Sequence, residues 1–369
     1  SERKRIKGET HALRGLAYFD LMRLFAYPPY FSIPPQPGQE LEKQYNERFK
    51  WGVPIVKNLD MINNIYKYEI KRETAENNFK YIEEELLKAK SLLQEVATTD
   101  GHINYVATCA ILTRLYLYMG QWDDVVELGE EVLRAGNGKY SLIPYESSYN
   151  QENLWELVYS LSDHNGSDCL NSLVRKPTYN NPGADNDGQV SQAIGYAAYG
   201  LFPSAINLLN YSVNDVEDVR GYLICDLGIA TNPDYKGYRK YVGEAYHFVY
   251  NQPIIRLPEV YLSLAEAYLR KDDIPSAQTY YNLLRQARVK DSDFESTDVG
   301  GCLKEVLEER RRELMLEGHT YWDFFRRGET MKRDKLIENA DKITIAFGQG
   351  IGISYARTQV IYPIPLSEL

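Results

Sequence analysis

The sequence predicts a mostly α protein: a helical-repeat scaffold packed against a loop-rich, irregular subdomain with a few short strands. Three observations lead there. Long segments toward both ends of the chain repeat apolar residues at three- and four-residue steps. Four of those segments pair into two helical hairpins. Between the hairpins the texture changes to Tyr, Asn, Gly, Ser and Pro with little helical period. The scaffold is assigned to residues 1–136 and 253–335, the insertion to 137–252, and a strand-like tail to 336–369. All of it fits a single 369-residue domain of stacked hairpins.

The elements follow in order. Residues 9–25 read as a helix with apolar residues on more than one face (Leu13, Leu16, Ala17, Phe19, Leu21, Leu24), hence buried nearly all round. Tyr27-Pro28-Pro29-Tyr30 stops it, because the residue before a proline is pushed off the helical region. Residues 74–96 make a cleaner amphipathic helix, with Phe79, Ile82, Leu86, Ala89 and Leu93 inward. The first hairpin runs from Tyr105 to Met119, turns at Gly120 as a left-handed closing residue would, and returns with Trp122, Val125, Val126, Gly129, Val132 and Leu133. The second runs from Pro258 to Arg270, through Lys271-Asp272-Asp273. Its return arm has Pro275 in the first turn and Ala277, Tyr280, Tyr281, Leu284 and Ala287 inward. Residues 302–317 form a charged helix, and 343–347 and 359–364 read as short strands. Both hairpins resemble tetratricopeptide repeats. Thr113, Tyr116, Gly120, Trp122 and Val125 in one, and Ala265, Tyr268, Asp272, Ile274 and Ala277 in the other, keep that repeat's small, aromatic and turn positions.

Composition narrows the function. A net charge of −10 argues against nucleic acid as the main partner. The sequence holds no run of about 18 apolar residues, the length needed to cross a bilayer as a helix. The four cysteines and five histidines form no CxxC or HExxH pattern, so no metal site or cofactor is expected and the cysteines read as buried thiols. Asp185-Asn186-Asp187-Gly188 resembles part of a calcium loop. It lacks the bidentate Glu, so Asp185 and Asp187 are read as a polar turn. The run Glu308-Glu309-Arg310-Arg311-Arg312-Glu313 reads as a structural ion-pair network. Carboxylates adjacent on one helix cannot flank a glycosidic bond, and no enzymatic activity is expected. His319, just past that helix, is read as capping or packing.

Tyrosine supplies 31 of the aromatic residues against 11 Phe and 4 Trp. A ring with an apolar face and a polar tip suits stacking on sugars or docking a protein. The stiff loop holding Tyr27, Tyr30 and Phe31 is the leading candidate for a ligand face, with Trp51, Tyr66 and Tyr68 on the next connection. Tyr179, Asn180, Asn181, Tyr196 and Tyr199 of the insertion mix rings with amides and complete the candidate set.

Four segments together resemble the SusD/RagB-like family. They are Gly8 to Phe25 with the following proline loop and Gly52-Val53-Pro54; Pro253 to Leu262 with Ala265-Glu266-Ala267; Glu309 to Leu314 with Glu317-Gly318-His319 and Trp322 to Arg327; and Ile361-Tyr362-Pro363-Ile364-Pro365. Asp218-Val219-Arg220 and Lys240-Tyr241 add to the likeness. The resemblance implies a non-catalytic nutrient-binding lipoprotein, most often for oligosaccharides. It would sit on the outer face of the outer membrane and feed a SusC-like TonB-dependent transporter. The lipid-bearing Cys and signal peptide that the family carries are expected upstream of Ser1. The alternatives are a peptide-binding member of the same family and a repeat scaffold for protein–protein contacts.

Overall fold

The computed structural model describes residues 2–37, 43–64, 67–68, 70–98, 101–143, 151–164, 201, 203–209, 212–213, 216–226, 236–238, 240, 251–289 and 293–331. Its helices are α1 (Glu2–Phe25), α2 (Pro29–Ser32), α3 (Leu59–Asn63), α4 (Ala75–Leu93), α5 (Tyr105–Met119), α6 (Trp122–Gly136), α7 (Pro203–Leu209), α8 (Leu257–Arg270), α9 (Ile274–Val289), α10 (Val299–Glu313) and α11 (Thr320–Arg326). Three antiparallel two-stranded ribbons accompany them: β1 (Asn153–Leu157) with β6 (Gln252–Arg256), β2 (Ser212–Val213) with β3 (Val216–Glu217), and β4 (Ile224–Asp226) with β5 (Lys236–Tyr238). The tail expected as strands at 343–347 and 359–364 lies outside the described residues.

The helices stack in chain order. α1 lies on α4, α4 on α5, α5 on α6, α6 on α8, and α8 on both α9 and α10. One apolar core runs from Ala12 in α1 to Ala267 in α8, and a second joins α8, α9 and α10 through Leu262, Ala265, Ala277, Leu284 and Val306. This is the tetratricopeptide-like scaffold that the hairpin spacing predicts. Start signals are chemical: the side chains of Thr74, Asn104 and Asp298 accept from the amides of Asn77, Ala107 and Gly301, satisfying donors the helix leaves open. Gly120 closes α5 at φ +72° as expected. Where the second hairpin lacks that glycine, Asp272 takes the left-handed conformation at φ +59°, which a short polar side chain tolerates.

The first helix differs from expectation. It begins at Glu2, and it is not buried all round: Leu13 is 49 % exposed, and Ile6 and Leu21 are also open. The face that packs is Gly8, Ala12, Gly15, Phe19 and Met22. A Cβ on Gly8 would stand 2.6 Å from Leu93 Cγ, and one on Gly15 2.7 Å from Leu86 Cγ, so the glycines set the spacing of α1 and α4.

A buried lattice of ion pairs joins Glu152, Asp218, Arg220 and Lys240 to β6, α9 and the end of α10. Glu313 at the end of α10 accepts from Arg220 Nη1 (2.9 Å), Arg256 Nη2 (3.0 Å) and Arg288 Nε (3.0 Å). Glu152, beside β1, accepts from Arg256 Nη1 (3.0 Å) and Arg288 Nη2 (2.9 Å). Arg220 also grips Asp218 with two N–H groups, at 2.8 and 2.6 Å. Lys240 donates to the Glu313 carbonyl (2.6 Å) and to the Glu317 carboxylate. The charged run therefore is the structural network its composition predicts, with Glu309 and Glu313 enclosed rather than solvated.

Candidate functional site

The proline loop after α1 is held from both sides. Asn46 N donates to Phe31 O (2.9 Å), and Ser32 N and Oγ both donate to Pro28 O (3.0 Å each). Two of its rings face inward. Tyr27 is buried and stacks on Phe49 with centroids 3.8 Å apart, and burial pushes its hydroxyl pKa up. Phe31 is buried as well. This corrects the expectation that both belong to the ligand face: an enclosed ring offers no plane to a solute, and these two act as pegs that fix the loop.

Tyr30, between them, is only partly buried. Its ring meets Phe31 edge-on at 4.7 Å and lies so close to Gly328 that a Cβ there would come within 2.5 Å of it. Tyr30 lines a cavity of about 400 Å³ together with Lys43, Leu117, Tyr118, Met119, Gly120, Trp122, Arg270, Arg326 and Arg327. The cavity sits where the loop, the turn of the first hairpin and the ends of α8 and α11 meet.

The other described candidates stand apart from that lining. Trp51 is 45 % exposed, with Lys50 Nζ 5.3 Å from its ring centroid. Its mount is rigid: buried Asn78 accepts from Val53 N (2.9 Å) and donates to Val53 O (3.0 Å), and Arg72 Nε donates to Gly52 O (2.7 Å). Tyr68 donates to the Asp60 carboxylate, which raises its own hydroxyl pKa, and Lys67 Nζ lies 5.5 Å from its ring. Tyr66, Tyr179, Asn180, Asn181, Asp185, Asp187, Tyr196 and Tyr199 lie outside the described residues. Among the described residues no group of three or more His, Cys, Asp or Glu is placed to hold a metal.

Sequence reasoning missed the basic wall of the cavity. Trp122 was visible only as a repeat wedge, and Arg326-Arg327 only as part of a family-like segment. Arg326 donates to Glu266 at 2.8 and 2.5 Å and to Asp323 at 2.8 Å. Burial works against its charge, yet Glu266 and Asp323 hold its pKa above the usual arginine range. Arg270 lies over the Trp122 ring at 5.5 Å and 3.9 Å from Glu266. Arg327 donates to Glu329 at 2.9 and 2.7 Å. At the opposite end of α8 from Arg270, Glu259 binds Arg114 at 2.7 and 2.6 Å, and His319 Nε2 lies 3.7 Å from it. His319 makes no side-chain cap, so packing is its role; burial brings its pKa down to about 4.

Comparison with known proteins gives a consistent picture. Residues 231–369 match the model of the SusD family, and residues 1–117 match a SusD-like model described as starch-binding and associating with the outer membrane. A SusD superfamily protein of Bacteroides thetaiotaomicron superposes with a TM-score of 0.70 at 28 % identity, covering 90 % of this chain and 69 % of its own. A SusD superfamily protein of Bacteroides vulgatus gives 0.73 at 24 % identity, over 99 % of this chain and 75 % of that one. A SusD-like carbohydrate binding protein of the same organism gives 0.69 at 20 %, over 95 % and 69 %. The last two likenesses speak to the fold alone. Among curated proteins no sequence matches significantly. With both flanks matching SusD-type models and the tetratricopeptide-like stack between Ala12 and Val306 in place, the chain belongs to the SusD/RagB-like family.

Proposed function

We propose that this protein is a non-catalytic binding protein for oligosaccharides that hands its ligand to a SusC-like TonB-dependent transporter. In this reading it is held at the outer face of the outer membrane by an N-terminal lipid anchor. The observation that carries the proposal is the cavity at Tyr30 and Trp122, in a chain with SusD-type matches at both flanks. Sugars present flat C–H faces rimmed by hydroxyls, and such a site needs aromatic planes with N–H donors at their edges. Tyr30 and Trp122 are the planes, and the lining guanidinium groups are the donors. The buried pegs Tyr27 and Phe31 keep Tyr30 in place, so little side-chain freedom is lost on binding. Trp51 and Tyr68 stay in the proposal as a second, separate aromatic surface.

Electrostatics favour binding over hydrolysis. A glycosidase needs one carboxyl kept protonated near neutral pH. The enclosed carboxyls Glu259, Glu309 and Glu317 are instead brought down to about 2, because arginines outweigh the effect of burial. Titration calorimetry with a panel of oligosaccharides tests the proposal. Tyr30→Ala is expected to weaken the best binder by about tenfold, the loss of roughly 1.4 kcal/mol of ring contact, with little change in Tm. Chromatography of a bound oligosaccharide after long incubation should show no shortening. A panel without any binder would remove the glycan reading, and products that grow with protein concentration would replace it with a hydrolase.

A further inference from the structure

We infer that the Tyr30 cavity selects acidic oligosaccharides, those carrying carboxylate or sulfate groups, over neutral ones; this rests on the glycan-binding reading above.

The charged residues of the lining carry one sign. Four of the ten lining residues are cationic, Lys43, Arg270, Arg326 and Arg327, and no Asp or Glu among the described residues lines it. The chain as a whole carries −10, so an all-cationic wall departs from its average surface. The lining arginines also keep unspent donors. Arg326 gives three of its five N–H bonds to Glu266 and Asp323. Arg327 gives two, both to Glu329. Arg270 stands 3.9 Å from Glu266, beyond hydrogen-bonding distance, and rests on the Trp122 ring instead. Planar guanidinium groups with free edges match carboxylate and sulfate oxygens, which accept several N–H bonds at once.

Two of these groups are also held in place: Arg326 is clamped by two carboxylates, and Arg270 is supported by an aromatic face. Donors fixed before the ligand arrives cost little ordering on binding. The rings of Tyr30 and Trp122 stand in the same lining, so one ligand can stack its sugar face and direct its acid at the arginines. A competing explanation is that these cations serve the helix ends, since α5, α8 and α11 all finish at the cavity and expose carbonyls there. Helix capping requires neither a concavity nor aromatic walls, and among the described residues neither Arg270 nor Arg327 donates to a helix-end carbonyl: their partners are Glu266, Trp122, Glu329 and the Phe324 ring.

The test is calorimetry of the full chain with tetragalacturonate and, as its neutral counterpart, tetragalactose, at 50 and 300 mM salt. The acidic tetramer is expected to bind at least tenfold more tightly at low salt and to lose most of that margin at high salt. Arg270→Gln with Arg327→Gln should abolish the margin, while Arg270→Lys with Arg327→Lys should keep part of it. Thermal unfolding of each variant confirms that it folds. Equal affinity for both tetramers, or a margin untouched by the glutamine variant, overturns the acidic preference and leaves the glycan reading standing. Failure of both tetramers and of the wider oligosaccharide panel overturns the two together.

Discussion

Glu313 is fully enclosed and is shared by Arg220, Arg256 and Arg288. Burial would raise its pKa, but the three guanidinium groups hold it well below the usual carboxylate range. Removing such a carboxylate strands several buried charges rather than one. Glu313→Ala is therefore expected to cost about 3–5 kcal/mol, measured as a lower urea midpoint with an unchanged slope. Replacement of a surface acid such as Glu84 should shift the midpoint by less than about 0.5 kcal/mol. A small effect at Glu313 would mean that the lattice is not what secures the insertion.

At the scale of elements, close approach decides packing. A Cβ on Gly129 of α6 would stand 2.7 Å from Leu264 Cδ2 of α8, a side chain with no free side to move into. Alanine favours a helix over glycine by about 1 kcal/mol, yet overpacking costs about 1–3 kcal/mol, so Gly129→Ala is expected to lower Tm. Ala277→Leu, at a fully buried position where α9 meets α8, should do the same. The hairpins were legible because a 3.6-residue apolar period and side-chain caps are local signals. The packed face of α1 was not, because it is built from Gly8, Ala12 and Gly15, which hydrophobicity undervalues. The proline loop shows the same limit. Prolines reveal that Tyr27, Tyr30 and Phe31 sit on a stiff turn, but which rings point inward depends on Phe49 and Gly328, remote in sequence.

For the whole molecule, the lattice ties stability to pH. Glu259, Glu309 and Glu317 have pKa values of about 2, below the ordinary 4.5, so their contribution is complete above pH 4.5 and is lost as pH falls toward 2. His319 at about 4 is held neutral below its ordinary 6.5; the unfolded chain takes up that proton first, so stability falls as pH drops from 6.5 to 4. Lys240, which burial brings down to about 8 from 10.5, acts in the alkaline range with the same sign: stability rises between pH 8 and 10.5. Urea unfolding across pH should show a decline beginning near 6.5 and steepening below 4.5. His319→Gln should flatten the upper part of that decline and leave the lower part intact.

The reach of the lattice along the chain also bears on how the protein is made. The stack from α1 to α6 closes largely on neighbours in sequence, whereas Glu152, Arg220, Arg256 and Arg288 all depend on Glu313 or on one another across 25 to 136 residues. At about 5–20 residues per second, a ribosome needs roughly 10–30 s to pass from Glu152 to Glu313. During that interval the early hairpins can form while the arginines of the insertion and of α9 wait, hydrated, for a counter-charge not yet synthesised. A nascent chain broken off before α10 would keep Asp218 and Glu152 as partners but lack Glu313, the carboxylate that Arg220, Arg256 and Arg288 share, and so could not close the lattice. Glu313 thus acts as a completion mark: the insertion locks only once nearly the whole scaffold has been translated.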